Sequence, residues 1–191
     1  MKKIFLALIA CATLGTNINA MADSNHTVSM GYAQSKIEDG FTLKGVNVKY
    51  RYEWDSPVSV ITSFTYMGAT NAEETRNEDY THFDKDKDRY FSLAAGPAYR
   101  FNEFISIYGL IGAGFNHYTN SSWTAQHSNN AKSEQGKSTY NTSGFMYGAG
   151  IQINPRHNIS VDIGYEGSSM KGHDNDRYYI NGFNVGVGYR F

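Results

Sequence analysis

The sequence predicts an all-β protein, an eight-stranded antiparallel up-and-down transmembrane β-barrel. Three observations lead there: apolar and polar residues alternate over most of the chain, short connections alternate with long ones, and a Tyr-Arg-aromatic triplet recurs at Tyr50-Arg51-Tyr52, Tyr99-Arg100-Phe101 and Tyr189-Arg190-Phe191. In a strand the two aromatics of a triplet share one face and the arginine takes the other. Aromatics at a common level on the outside form a membrane-interface girdle, and the arginines then require a polar interior. Fifteen tyrosines and nineteen glycines with only three prolines also suit strands better than a helical bundle.

Lys2 and Lys3 precede the apolar run from Ile4 to Ala12, and the small-residue site Ala20-Met21-Ala22 follows. This reads as a secretory signal peptide over residues 1–22, leaving 23–191 as a barrel with four surface loops. Losing the two lysines takes the net charge from −1 to −3, so neither nucleic-acid binding nor a strongly basic surface is indicated. The one cysteine, Cys11, falls in the leader, so the mature chain forms no disulfide. Leu8-Ile9-Ala10-Cys11 also fits a lipoprotein box, but the better cleavage site downstream favours Cys11 as a small apolar leader residue. No later stretch approaches the roughly 20 apolar residues of a spanning helix, so a membrane can be crossed only with strands.

The first strand sets Val28, Met30 and Tyr32 against Ser29, Gly31 and Ala33. In the second, Val46, Val48, Tyr50 and Tyr52 oppose Asn47, Lys49, Arg51 and Glu53, a charged face too dense for a soluble core. Asp55-Ser56-Pro57 turns the chain into a third strand, with Val58, Val60, Phe64 and Tyr66 opposite Ser59, Ser63 and Thr65. The fourth presents Phe91, Leu93, Ala95, Pro97, Tyr99 and Phe101 against Ser92, Ala94, Gly96, Ala98 and Arg100. Pro97 has no N–H for the ladder and predicts a local bulge. After Asn102-Glu103 the fifth strand turns Ile105, Ile107, Ile111, Ala113 and Phe115 outward and Tyr108 and Leu110 inward. The sixth alternates Phe145, Tyr147, Ala149, Ile151 and Ile153 with Gly144, Met146, Gly148, Gly150 and Gln152, and Asn154-Pro155-Arg156-His157 closes it. Ile159, Val161, Ile163 and Tyr165 against Ser160, Asp162, Gly164 and Glu166 make the seventh. The eighth sets Tyr179, Phe183, Val185, Val187, Tyr189 and Phe191 against Gly182, Asn184, Gly186, Gly188 and Arg190.

Short connections follow Glu53, Phe101 and Ile153, whereas long ones cover about 35–44, 69–89, 119–142 and 168–177. In outer-membrane barrels the short turns are periplasmic, which places both termini there too. A soluble lipocalin-like barrel has the same strand count, but it would turn the apolar face inward and expose Lys49, Arg51, Glu53, Asp162 and Glu166. Aromatics at the strand ends and an outward Phe191 favour the membrane.

The strings Gly31-Tyr32-Ala33-Gln34-Ser35, Val48-Lys49-Tyr50-Arg51-Tyr52-Glu53, Ser63-Phe64-Thr65-Tyr66, Ala95-Gly96-Pro97-Ala98-Tyr99-Arg100, Ser106-Ile107-Tyr108-Gly109, Tyr147-Gly148-Ala149-Gly150 and Gly186-Val187-Gly188-Tyr189-Arg190-Phe191 resemble the Ail/OmpX/PagC/Lom family of enterobacterial outer-membrane proteins. The likeness covers most of the mature chain and fades in the long loops. It implies a barrel in the outer membrane of a Gram-negative bacterium, with an interior filled by side chains, for which OmpX-type barrels are themselves the standing example. It also implies loops that, in some members, promote adhesion to host cells, entry or resistance to complement. The girdle residues Tyr50, Tyr52, Tyr99, Phe101, Tyr189 and Phe191 include a final aromatic that looks like the signal read by the outer-membrane assembly machinery.

Inside, Lys49, Arg51, Arg100 and Arg190 face Glu53, Asp162 and Glu166, a near-balance that reads as a paired polar core. Between Glu73 and Asp88 the second loop carries seven acidic residues (Glu73, Glu74, Glu78, Asp79, Asp84, Asp86 and Asp88) against Arg76, Lys85 and Lys87, an acidic protrusion that would repel lipopolysaccharide phosphates unless a divalent ion bridged them. Asp84-Lys85-Asp86-Lys87-Asp88 spaces oxygens for a divalent cation but lacks the glycine and distal glutamate of an EF-hand loop, so no metal site is assigned. Tyr80, Phe83 and Trp123 are large aromatics in polar loops, able either to anchor a partner or to pack the loops together. The third loop, Asn120 to Asn141, is rich in Ser, Thr, Asn and Gln and reads as mobile. His82, His117, His127 and His173 have no spacing that pairs a base with a nucleophile, so neither catalytic residues nor a cofactor are assigned.

The expectation is therefore a monomeric barrel, not an enzyme. Its partners are outer-membrane lipid and lipopolysaccharide, the assembly machinery, and host matrix, cell-surface or complement-regulatory proteins met by the second and third loops. The alternative is a structural protein that supports the envelope without a dedicated host ligand.

Overall fold

Each strand hydrogen-bonds to the next in the chain, and the last pairs with the first, so no sheet edge meets lipid. The structure, a computed structural model, describes residues 25–38, 40–76, 80–126, 132–172 and 176–191, without the side chains of residues 80, 126 and 132–135. The leader with Cys11, and Glu78, Asp79, His127 and His173, lie outside the described residues. The strands are β1 (His26–Ile37), β2 (Thr42–Glu53), β3 (Val58–Arg76), β4 (Tyr80–Arg100), β5 (Ile105–Gln126), β6 (Lys132–Arg156), β7 (Ile159–Lys171) and β8 (Arg177–Arg190). Phe191 continues the β1–β8 closure, exchanging backbone hydrogen bonds of 2.9 and 2.8 Å with His26.

The inside and the outside follow the expected alternation. Ile111 is 66% and Leu93 61% exposed, whereas Tyr108 and Leu110 on the same strand as Ile111 are each 5% exposed. The outward apolar set runs from Tyr52, Trp54, Tyr99 and Phe101 at one end to Tyr66, Phe91 and Phe115 at the other. That belt is the lipid-facing surface. Tyr108 needs room inside, and the glycine-rich sequence of β6 and β7 provides it: a Cβ on Gly150 or Gly164 would collide with the Tyr108 hydroxyl.

The bulge expected at Pro97 does not form. Pairing of β4 with β3 runs unbroken through Val60 and Pro97. On the β5 side the ladder skips Gly96 and Pro97 and resumes at Ala98 and Tyr108 in the same register. A missing N–H costs one ladder bond but inserts no residue, so the strand stays straight.

The inward positions of β2 stack Glu53, Arg51, Lys49, Asn47, Gly45 and Leu43 from the periplasmic end upward, about 6.6 Å apart. At the bottom, Glu53 forms ion pairs with Arg51 at 2.9 Å, Arg100 at 2.6 Å and Arg190 at 3.1 Å. Arg100 also grips it with two parallel hydrogen bonds, Nε to Oε1 and a terminal nitrogen to Oε2, at 2.7 and 2.8 Å. Arg51 in addition donates to Gln152 and Ser59. One layer up, Lys49 donates to Asp162 at 2.5 Å and to Asn184 at 2.6 Å. Tyr108 donates to the same Asp162 oxygen. Glu166 is held differently, by hydroxyl donors from Thr65, Tyr90 and Ser92 at 2.6 to 2.8 Å. Above it Ile37, Leu43, Met67, Met170 and Ile180 join Tyr90 in an apolar layer beneath the extracellular mouth.

Two predictions follow the geometry. Ile111→Arg at the middle of the belt should lower stability by about 2–4 kcal/mol in urea unfolding from phospholipid vesicles; an unchanged midpoint would place this residue away from lipid. Glu53→Ala strands three arginines around an uncompensated site and should cost about 3–5 kcal/mol in the same assay.

Candidate functional site

β3 to β6 span 19, 21, 22 and 25 residues, against 12 to 14 for the other four strands. Pairing with β2 ends at Gly68, and pairing of β6 with β7 begins only at Gly144. Ala69–Arg76 of β3 therefore rises beyond the barrel with β4, β5 and β6 as a four-stranded sheet. Eight residues at about 3.3 Å each give roughly 25 Å of extension. Most of what the sequence reads as the second and third loops is thus ladder. The reason is that backbone pairing continues once a register is set, even where no buried face marks the period in side chains. Its free edges carry Glu73, Glu74 and Arg76 on one side and Lys137 on the other, charges that discourage edge-to-edge association.

The alternation continues into this sheet and sorts its charges. Tyr90 is buried and Phe91 exposed, and β4 pairs with β5 without interruption from Ala95 to Tyr80. Asp84, Asp86 and Asp88 consequently share the inner face with Tyr90, while Lys85, Lys87 and Arg89 share the outer face with Phe91. The opposing outer positions on β5 and β6 are His117, Thr119, Ser121 and Lys137. Lys85, Lys87, Arg89, His117 and Lys137 line one groove of about 250 Å³. The acidic balance of the protrusion is therefore one-sided: the outer face of β4–β6 just above the lipid belt is cationic.

Phe83 and Trp123 are directly opposed on the outer face of β4 and β5 and stack at 5.4 Å with a 10° interplanar angle. They pack against each other and remain half-exposed. Tyr80 starts β4, with its side chain outside the described residues. On the inner face, Asp86 accepts from the Tyr118 hydroxyl at 2.6 Å and from Asn120 at 2.8 Å. Burial first, and then the Asp86 carboxylate, push the Tyr118 hydroxyl up to about 12, so it remains a donor near neutrality. His82 pairs with Asp84 at 3.2 Å and bonds Thr124, and His117 lies against Asn141.

The interior residues Lys49, Arg51, Glu53, Arg100, Asp162, Glu166 and Arg190 sit far below this sheet and tie strands together. Tyr50, Tyr52, Tyr99, Phe101, Tyr189 and Phe191 lie at the periplasmic rim, where His26 stacks on Phe191 at 5.6 Å. Among the described residues no group of three or more His, Cys, Asp or Glu is placed to hold a metal. Sequence reasoning missed the outer-face role of Arg89 and Lys137 and the mouth residues Asn116, Tyr140 and Tyr178. Extending the period-2 count past Phe91 into the charged run would have found Arg89; Lys137 and the mouth residues depend on how distant strands are brought together.

The family profile described as Enterobacterial Ail/Lom protein matches residues 1–191. The chain is 45% identical over 194 residues to the virulence membrane protein PagC of Salmonella typhimurium, covering all of both chains. It is 38% identical over 198 residues to outer membrane protein X of Escherichia coli, again over both full lengths. Among solved structures, Ail, the attachment invasion locus protein of Yersinia pestis, in complex with the heparin analogue sucrose octasulfate, superposes with a TM-score of 0.67 at 32% identity. That match covers 87% of this chain and 98% of the other.

Proposed function

The chain belongs to the enterobacterial Ail/Lom family of virulence-associated outer-membrane barrels, and from that premise we propose that its protruding sheet attaches the cell to sulfated glycans of the host surface. The observation that carries this is the outer face of β4–β6, where Lys85, Lys87, Arg89 and Lys137 converge on one groove with His117 and, among the described residues that line it, no carboxylate. Sulfate groups stay ionised at physiological pH, and ammonium and guanidinium groups bind them through charge-assisted hydrogen bonds. The three cations of β4 repeat every second residue, about 6.6 Å apart, and present a row to an extended polyanion. The heparin analogue in the Yersinia pestis Ail structure supports the same ligand class. Phe83 and Trp123 add an apolar platform at the upper end of the row.

Binding of this kind is noncovalent. His117 stands within the cation row, where its hydrogen bonds to Asn141 and Thr119 fit a recognition surface. Phe191, on the rim at the β1–β8 closure, is the residue offered to the assembly machinery.

The triple charge reversal Lys85→Glu, Lys87→Glu and Lys137→Glu should weaken binding of the refolded protein to immobilised heparin more than tenfold. Wild-type binding should also fall steeply as salt is raised. Asp84→Asn with Asp86→Asn, on the opposite face, should leave it intact. Expressed in a nonadherent, serum-sensitive bacterium, the wild type should confer adhesion that the triple variant loses, with serum survival scored separately. Equal heparin binding by both proteins would refute the glycan reading. No gain in either phenotype would leave the structural role in the envelope as the better account.

A further inference from the structure

At the extracellular mouth, above the apolar layer of Ile37, Tyr90, Met170 and Ile180, the inner face of the β4–β6 sheet borders an open cavity of about 700 Å³. This lies within the usual range for a small-molecule site. Asp88 of β4 and Asn116 of β5 line it, and they are only 4% and 6% exposed. Among the described residues, neither Asp88 Oδ1 nor Asn116 Oδ1 has a hydrogen-bond partner. A buried acceptor left unpaired costs about 1–3 kcal/mol, and more when it is charged. Both belong to residues that border the same cavity, so one donor drawn into its wall would satisfy both.

Most of the hydroxyl donors around them are engaged with other groups. The Tyr118 hydroxyl donates to Asp86 at 2.6 Å, the hydroxyls of Thr142 and Tyr178 are bonded to each other at 2.7 Å, and Asn116 Nδ2 is directed to the Tyr178 oxygen at 3.4 Å. What remains on the buried side is chiefly accepting capacity, one carboxylate oxygen and one amide carbonyl, beside one hydroxyl hydrogen of the Thr142–Tyr178 pair and the Lys171 ammonium at the rim. Around it stand the rings of Tyr118, Tyr140 and Tyr178, the first two stacked at 6.4 Å and 24°. Ring faces attract a desolvated cation. We propose that this mouth cavity binds an organic cation, a primary alkylammonium group. Asp88 is its counter-ion, the Asn116 carbonyl is the second acceptor, and the tyrosines are the walls.

Other ligand classes fit less well. A saccharide asks for several protein donors as well as acceptors, and the charged donor of the lining, Lys171, stands at the rim, away from the buried acceptors. A calcium ion wants six to eight oxygens, and here two side chains supply them. The ammonium group could come from a free amine or from a lysine of a partner protein.

Asp88 sits above the lipid belt, one position beyond Arg89, and burial pushes its carboxyl up to about 6. It also accepts hydrogen bonds from the Asn116 side chain and the Arg89 backbone, and the titratable and charged groups around it are Asp86 and Arg89 on its own strand, His117 and Tyr118 on β5, Tyr140 on β6, Tyr178 on β8 and Lys171 on β7. A bound cation favours the ionised form, so affinity is full above the folded-state value and fades as the pH falls through it.

The refolded protein in detergent micelles, at low salt and pH 7.5, is titrated with butylammonium chloride, with the peptide acetyl-Gly-Lys-Gly-amide, and with butanol as the uncharged control. Saturable one-to-one binding of at least one ammonium probe is expected, with none of butanol. Asp88→Asn keeps the shape and removes a buried charge, so it should fold at least as stably as wild type in urea yet bind at least tenfold more weakly. Lowering the pH to 5 should have a similar effect. Tighter binding of the peptide identifies a protein lysine as the source, and tighter binding of butylammonium a free amine. Failure of both ammonium probes to saturate, equal binding of butanol, or affinity unchanged in Asp88→Asn would overturn the proposal. The site lies on the opposite face of the sheet from the lysine row, so this result and the heparin result stand or fall separately.

Discussion

One carboxylate carries the lower half of the molecule. Glu53 receives Arg51 from its own strand, Arg100 from β4 and Arg190 from β8, three strands joined at a single buried anion. Lipid outside the barrel is as apolar as the side chains that touch it, so the outer face cannot drive strands together as a soluble core does. Register and closure rest on the backbone ladder and on this interior. The Tyr-Arg-aromatic triplets face two ways: the aromatics lie on the outer rim, and the arginine points at Glu53.

The upper interior repeats the principle with other chemistry. Lys49 joins β2 to β7 and β8 through Asp162 and Asn184, and Glu166 joins β7 to β3 and β4 through hydroxyls. A carboxylate satisfied by three neutral donors and another by three guanidinium groups sit in the same small barrel. The near-balance of charge in the sequence concealed that difference. Above both, an apolar layer ends the polar column and supports the mouth.

Beyond the belt there is no lipid to read the alternation, yet it persists because the ladder persists. The same period that separates lipid from interior now separates lysine from aspartate, so one sheet presents a cationic outer face and an acidic, tyrosine-lined inner one. Glycan attachment and ammonium binding can therefore coexist on a chain whose net charge is close to zero.

Strand number, the facing of each residue and the level of the aromatic girdle follow from the sequence alone, because alternation is a local property and the membrane imposes it on every strand. Tyr108 facing inward and Phe191 ending on the outer rim were legible for that reason. The partners were not. Which carboxylate meets Arg100, whether Asp88 lies beside Asn116, and that Lys137 joins Lys85 and Lys87 in one groove depend on registers between segments far apart in the chain. The extension of β3 to β6 was hidden for a related reason: a polar strand outside the membrane has no buried face to betray it, and only its backbone pairing, a tertiary fact, distinguishes it from a loop.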